Sequence, residues 1–187
     1  MLTLEDYLTA FIGSLTAHAA LAVYLFMMMD ARGWRILKKL PVLLLSPLAA
    51  SLLQVGLYVL IPGHVLVRYC ISSFAVLLMC TFWVRWAWRT ELWRAFSAVC
   101  MGGVFQVATS CLAQILLLNS ELQFTVVIYL GVVPISALLM HRLRFGRWFR
   151  FLLEAGFGQR RTVLFLFAQE AAMETFLILQ VGIQPEY

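Results

Sequence analysis

The chain has 187 residues, of which 63% are hydrophobic and 12% are charged, and its formal net charge is +5. About a quarter of the residues in a typical soluble domain are charged, so this composition excludes an ordinary soluble fold and indicates a membrane protein. The positive charge is concentrated in three short segments between apolar runs, which is typical of cytoplasmic loops and argues against a nucleic-acid-binding face.

Six apolar runs follow one another along the chain, and about 20 apolar residues span the roughly 30 Å hydrocarbon core of a bilayer. The first run follows the acidic residues Glu5 and Asp6 and lacks a small-residue cleavage pattern, so we interpret it as a retained helix and not as a signal peptide. The sequence predicts an all-α fold, a polytopic membrane helical bundle with six transmembrane helices and one interfacial helix, in a single domain over residues 1–187. The predicted spans are about 7–29, 40–61, 65–84, 92–118, 124–140 and 162–182, and the interfacial helix is 141–158.

The basic segments orient these spans. Residues 32–39, 85–94 and 142–161 all fall on one side of the predicted bundle, and loops rich in Lys and Arg are retained in the cytoplasm. We therefore expect a multi-pass protein of the cell membrane with both termini extracytoplasmic. Residues 141–158 combine arginines with aromatic residues, which favours a helix lying along the inner surface of the membrane. The tryptophans beside the second basic segment are interpreted as interfacial anchors, namely Trp83, Trp86, Trp88 and Trp93.

Two acidic residues lie near the middle of the sixth span. An ionised carboxylate at that depth costs about 3 kcal/mol or more unless it is paired, protonated or hydrated. Glu170 and Glu174 are four residues apart and so share one face of a helix, where two like charges oppose each other. We expect at least one of them to keep its proton at neutral pH, and both a functional and a structural role stay open for the pair.

Other polar side chains occur at similar or shallower depth in the remaining spans. They could form one polar layer open to a ligand from outside, or they could serve only as hydrogen-bonding contacts between helices. For His18, Gln106 and Gln114 taken singly, the structural role is favoured. The predicted ligand-binding set comprises Glu170, Glu174, His18, Gln106, Gln114 and Arg68.

Catalytic patterns are missing from the sequence. There is no GxSxG, HExxH or P-loop motif, and we expect neither enzymatic activity nor a catalytic residue. The cysteines show no metal-binding spacing and are interpreted as buried, inert thiols, so no metal site and no cofactor is predicted. The four cysteines are Cys70, Cys80, Cys100 and Cys111.

The layout resembles that of a known family. Its features are an acidic N-terminus, a basic loop that leads into Leu40-Pro41, a tight basic and aromatic turn between the third and fourth spans, and a basic stretch before the sixth span. In this architecture the chain resembles the membrane sensor half of accessory-gene-regulator-type histidine kinases, bacterial receptors for secreted quorum-sensing peptides. The resemblance implies a peptide pocket open to the outside and a cytoplasmic kinase region or signalling partner, and it carries over no site residue. The 187 residues contain neither a phospho-acceptor histidine region nor ATP-binding glycine motifs.

Two other classes stay open. A small six-helix transport subunit, similar to the substrate-binding membrane components of energy-coupling-factor transporters, would have both termini in the cytoplasm, opposite to the charge pattern. A ligand-free membrane scaffold would use its polar groups only to bond helices together. The expected partners are the lipid bilayer, an extracellular peptide or small-molecule ligand, a cytoplasmic signalling partner and, as an open alternative, a second copy of the chain in a homodimer.

Overall fold

The computed structural model describes residues 4–29, 34–61, 65–116, 122–154, 161 and 167–169. These residues are almost entirely helical, and no strand occurs among them, which confirms the all-α prediction. The helices are α1 (Leu4–Met28), α2 (Trp34–Leu60), α3 (Val65–Trp88), α4 (Leu92–Leu116), α5 (Leu122–Arg142) and α6 (Phe145–Glu154).

Three of the described helices contain segments long and apolar enough to cross a membrane. They are Tyr7–Met28 in α1, Leu43–Leu60 in α2 and Val67–Trp88 in α3. A shorter apolar stretch, Leu130–Arg142, ends α5. The helical architecture is therefore that of a membrane protein in its coarse features.

The distribution of polarity between the inside and the outside supports the same conclusion. Small polar side chains are buried, among them Ser51, Ser72 and Ser97, each 0% exposed. Many leucine, isoleucine, valine and phenylalanine side chains are exposed instead, because none of the described helices covers them. On α3 they form one stripe at helical spacing, which suits contact with lipid chains. The stripe consists of Val67, Ile71, Phe74, Leu78 and Phe82.

Helix α1 is the centre of the described bundle. It contacts α2, α4, α5 and α6, whereas α3 contacts α2 and α4. Tyr24 and Met28 of α1 are 0% and 1% exposed and pack against the buried face of α4, which includes Ala98 and Val99. The two neighbours of Met28, Met27 and Met29, pack against the same core, as expected for adaptable methionine side chains.

Helix α2 begins earlier than the sequence predicts. The prediction placed its start at residue 40, but the helix begins at Trp34, so residues 35–39, three of which are basic, form its first turns and not a loop. Arginine, leucine and lysine are good helix formers, and positive charge by itself does not end a helix. Helix α3 likewise continues to Trp88, four residues beyond the predicted end, before Arg89 adopts a left-handed conformation with φ of 50°.

Glu91 forms the start of α4. Its carbonyl accepts the N–H of Ala95 at 3.0 Å, and its carboxylate accepts a hydrogen bond from Nε1 of Trp93. Arg94 Nε lies 3.6 Å from the same carboxylate. An acidic residue at a helix N-terminus also interacts favourably with the helix dipole. The tight turn between α3 and α4 is thus built from the acidic residue that precedes α4 and the basic and aromatic residues around it.

Helix α6 lies within the predicted interfacial segment 141–158 and confirms that this segment is partly helical. Phe149 is 2% exposed, whereas Trp148 and Phe151 are more than half exposed. Of the predicted sixth span, 162–182, only residues 167–169 are described, and they are helical. The ring of Phe167 lies 6.1 Å from that of Phe96, so this segment contacts α4.

Candidate functional site

His18 lies at the contact between α1 and α2 and is 9% exposed. Its Nδ1 atom is 3.2 Å from Oγ of Ser14, one turn earlier on α1, and 3.1 Å from Oγ of Ser51 on α2. Ser14 also reaches Gln54 of α2, with 2.8 Å between its Oγ and Oε1 of the amide. Ser14, His18, Ser51 and Gln54 together form what we call the His18 cluster.

Hydrogen-bond counting assigns the proton on His18. Ser51 Oγ donates to the carbonyl of Pro47 at 2.7 Å, and Ser14 Oγ donates to Gln54. A hydroxyl group has only one proton, so both Oγ atoms can only accept at Nδ1. Nδ1 of His18 therefore carries a proton and shares it between the two serines. Nε2 is then the ring nitrogen that can accept a proton or a hydrogen bond.

This arrangement gives the cluster a specific chemical capacity. Nδ1 is protonated both in the neutral form assigned here and in the charged imidazolium form, so Nε2 can gain or lose a proton without any change in the bonds to Ser14 and Ser51. The other three members of the cluster are uncharged, so they provide hydrogen-bonding groups, of which Ser14 and Ser51 contact His18 directly, but no counter-ion. Because Ser14 and Ser51 hold the imidazole ring of His18 in one orientation, Nε2 can accept a hydrogen bond from a donor group of a ligand.

A second buried polar contact joins α1 to α4. Tyr24 Oη is 2.6 Å from Oγ1 of Thr109, and Thr109 donates its own proton to the carbonyl of Phe105 at 2.8 Å. Tyr24 must therefore be the donor to Thr109. The rings of Tyr24 and Phe105 are 5.8 Å apart. All donors of this contact are satisfied, and it fixes α1 against α4.

The other predicted site residues are distributed over different parts of the fold. Gln106 is half-buried on α4, and its carbonyl accepts Ser110 Oγ at 3.1 Å. Arg68 is on α3, and its Nε is buried without a hydrogen-bond partner in the described part of the chain. Neither side chain is among the hydrogen-bond partners of His18. Glu170, Glu174 and the side chain of Gln114 lie outside the described residues, so the predicted layer that would combine all six stays a prediction.

Sequence reasoning missed three members of the His18 cluster. Ser14 precedes His18 by four residues, and Ser51 precedes Gln54 by three, so each pair shares a helix face. That spacing was the available signal. It was weak because serine and glutamine are common in membrane helices, and only the packing of α1 on α2 shows which faces meet.

A small cavity lies apart from this cluster, between α1, α2 and α3. Its volume is about 20 Å³, enough for one water molecule, and Phe26, Ser46, Cys80 and Trp88 are among its lining residues. The ring of Trp88 lies 5.7 Å from that of Phe26 and 4.2 Å from Nζ of Lys39. Trp88 therefore packs between helices and differs from Trp86, which is 74% exposed as an interfacial anchor would be.

Comparison with protein-family models, with curated proteins and with solved structures finds no match. Among the residues with described positions, no group of three or more His, Cys, Asp or Glu side chains could hold a metal ion. The chemistry of the His18 cluster is therefore the main basis for a functional hypothesis.

Proposed function

We propose that the chain is an integral membrane sensor that binds an extracellular peptide or small ligand among its helices and signals to a cytoplasmic partner or kinase region. The proposal includes six membrane crossings with both termini outside. The observation that supports it best is the His18 cluster, a hydrogen-bonded polar group within two helices that are otherwise apolar enough to span a bilayer.

The hydrogen bonds of the cluster contribute little to the stability of the bundle. Hydrogen bonds between membrane helices contribute only about 0.6 kcal/mol each on average. A buried ring held by Ser14 and Ser51, with an acceptor at Nε2, is suited to recognising a donor group of a ligand. His18 is only 9% exposed, whereas Ser14 and Gln54 are half-buried, so a ligand would reach the cluster beside Ser14 and Gln54 and shift α1 relative to α2 to bond to Nε2. Ligand binding would then be coupled to a movement of α1.

The contacts of α1 give such a movement a route to the basic surface of the protein. Tyr24 lies six residues after His18 on α1, and its ring contacts Phe105 of α4. Phe105 in turn contacts Phe145 of α6, with ring centroids 5.3 Å apart in a T-shaped arrangement. Helix α6 carries the arginines that the charge pattern assigns to the cytoplasmic side. We propose that α6 is the output element of the sensor.

Cysteine accessibility tests the proposal without knowledge of the ligand. In a chain whose four native cysteines are replaced by alanine, Ser14→Cys and Gln54→Cys would be treated with a membrane-impermeant methanethiosulfonate on intact cells and on inside-out vesicles. Leu52→Cys is the matched control, because Leu52 lies on α2 between Ser51 and Gln54 and is 58% exposed on the apolar side.

A sensor with an outward-facing site predicts modification of Ser14→Cys and Gln54→Cys on intact cells only, while Leu52→Cys stays unmodified because a thiol in lipid does not ionise. Modification from both sides would contradict the sensor and support the transport subunit. No modification from either side, in variants that purify as monodisperse protein, would contradict any ligand site and support the scaffold.

A further inference from the structure

Helix α6 and the residue before it follow a three-residue repeat that the proposed function does not use. Residues 144–152 read Arg-Phe-Gly, Arg-Trp-Phe and Arg-Phe-Leu, so every third residue is an arginine and each arginine is followed by an aromatic residue. Every third residue of a helix lies nearly on the same face, displaced by about 60° around the axis. The repeat therefore produces adjacent basic, aromatic and apolar rows along α6.

The apolar row attaches α6 to the bundle. Gly146 and Phe149 are buried, and Phe149 is 2% exposed. Phe145 is half-buried between Phe105 of α4 and Trp148, with ring centroids 5.3 Å from each. Helix α6 also contacts α1 and α5. These contacts fix the rotation of α6 about its own axis and so determine which side chains point away from the protein.

The outward side combines positive charge with aromatic surface. Arg144, Arg147 and Arg150 are exposed, and Trp148 and Phe151 are 51% and 65% exposed beside them. The sequence from 142 to 154 contains four arginines and one acid, Glu154 at the end of α6, so the segment keeps a net positive charge. An exposed tryptophan and phenylalanine interleaved with arginines suit the boundary between lipid headgroups and acyl chains.

The position of α6 in the chain favours a membrane as the partner. It follows the apolar stretch Leu130–Arg142 after only two residues, Leu143 and Arg144, so it begins where an apolar helix ends. Leu143 in this turn is itself 67% exposed. A protein partner would leave the adjoining apolar surface of α5 uncovered, whereas a bilayer covers both.

We infer that the outward side of α6 binds the headgroup layer of a bilayer rich in anionic phospholipids, with arginines paired to lipid phosphates and with Trp148 and Phe151 inserted at the acyl boundary. The binding is selective for anionic over zwitterionic lipid, because zwitterionic headgroups give the surface no net negative potential. This interaction is independent of any ligand at the His18 cluster, so either proposal can fail without the other.

Reconstitution of the full chain into nanodiscs tests the inference. One set of nanodiscs contains phosphatidylcholine alone, and the other contains phosphatidylcholine mixed with phosphatidylglycerol. A spin label on Leu143→Cys, in the cysteine-free background, reports depth through its relative exposure to oxygen and to a water-soluble nickel complex. Native mass spectrometry counts the phosphatidylglycerol molecules that remain bound after transfer to detergent.

The inference predicts a deeper label in the anionic nanodiscs and retained phosphatidylglycerol at low salt that is lost at high salt. Replacing Arg144, Arg147 and Arg150 together by glutamine should reduce retention several-fold, while replacing all three by lysine should preserve most of it. The double replacement Arg85→Gln and Arg89→Gln removes two exposed arginines elsewhere and should leave the label depth unchanged.

Equal depth and equal retention in the two lipid compositions would overturn the inference. The same holds if the glutamine variant, with unchanged helix content, retains phosphatidylglycerol as well as the original chain does. A label that stays in water in both kinds of nanodisc would assign the outward side of α6 to a soluble partner and not to lipid.

Discussion

Helix α1 meets its two main neighbours in different ways. It contacts α2 through the hydrogen-bonded His18 cluster, and it contacts α4 through close packing around Gly102. A Cβ atom at Gly102 would lie 2.9 Å from Cδ1 of Leu21 and 3.2 Å from Cε of Met28. Close packing resists displacement of the helices, because small displacements create clashes or voids. Hydrogen bonds to hydroxyl groups can be exchanged for bonds to a ligand or to water.

The difference assigns separate roles to the two contacts. The contact of α1 with α4 is the structural one, since Gly102 permits the approach and the bond from Tyr24 to Thr109 specifies it. The contact of α1 with α2 combines apolar packing with the hydrogen bonds of the His18 cluster, and such bonds between membrane helices are individually weak. A site that exchanges hydrogen bonds with a ligand belongs at the contact with the more exchangeable hydrogen bonds, which agrees with the sensor proposed above.

The largest expected effect comes from filling the space at Gly102. Gly102→Leu should destabilise the fold by about 2 to 3 kcal/mol, because overpacking forces the helices apart. Gly102→Ala should cost less, since the Leu21 side chain can rotate away. Unfolding in mixed micelles with increasing sodium dodecyl sulfate measures both. Gly131→Leu is the control, because Gly131 is exposed with no atom within 4 Å of its added Cβ. Equal losses at Gly102 and Gly131 would contradict the close contact.

A smaller effect is expected from Tyr24→Phe, which removes the hydrogen bond to Thr109 and keeps the ring contact with Phe105. The loss should be about 1 kcal/mol, the usual net contribution of one buried hydrogen bond. The same unfolding assay applies, with Tyr58→Phe, at a partly exposed position on α2, as the control that should not change stability. A Tyr24→Phe variant as stable as the original chain would show that packing alone fixes α1 on α4.

The smallest single effects are expected within the His18 cluster. Ser14→Ala and Ser51→Ala should each cost about 0.6 kcal/mol or less, because the proton on Nδ1 keeps its other acceptor. The double variant should lose more than the two single losses together, since both hydroxyl acceptors of Nδ1 are then gone and only the backbone carbonyl of Ser14 remains. Strict additivity in the unfolding assay would argue against a shared proton. Ser97→Ala provides the control, because Ser97 Oγ is buried and has no hydrogen-bond partner in the described part of the chain, so its removal should not destabilise.

The sequence predicted the helices better than the contacts between them. The length of the apolar runs was sufficient to locate α1 and α3. The alternation of arginine and aromatic residues was sufficient to locate α6, the helix around Trp148. The start of α2 was misplaced because residues 35–39, three of which are basic, were interpreted as a loop. The charge of a segment indicates on which side of the membrane it lies, but it does not determine the conformation of its backbone.

The site was only partly predictable for a physical reason. His18 stood out because an ionisable side chain within an apolar span is unusual. Its partner Ser51 lies 33 residues away, and no local sequence pattern indicates that this serine of α2 faces α1. Trp88 illustrates the same limit, since composition favours an interfacial anchor whereas packing places its ring against Phe26 and Lys39.

The protonation of His18 is the most direct test of the central claim, that Ser14 and Ser51 fix this side chain at the contact between α1 and α2. Solid-state NMR of ¹⁵N-histidine-labelled protein in lipid bilayers distinguishes protonated from unprotonated ring nitrogens, and His18→Gln identifies the resonances of His18 among the three histidines. The hydrogen-bond pattern predicts a protonated Nδ1, and its preference for the proton should weaken in the double variant of Ser14→Ala and Ser51→Ala, because only the backbone carbonyl of Ser14 then accepts from it. An unprotonated Nδ1 with the proton on Nε2 alone would contradict the cluster as described.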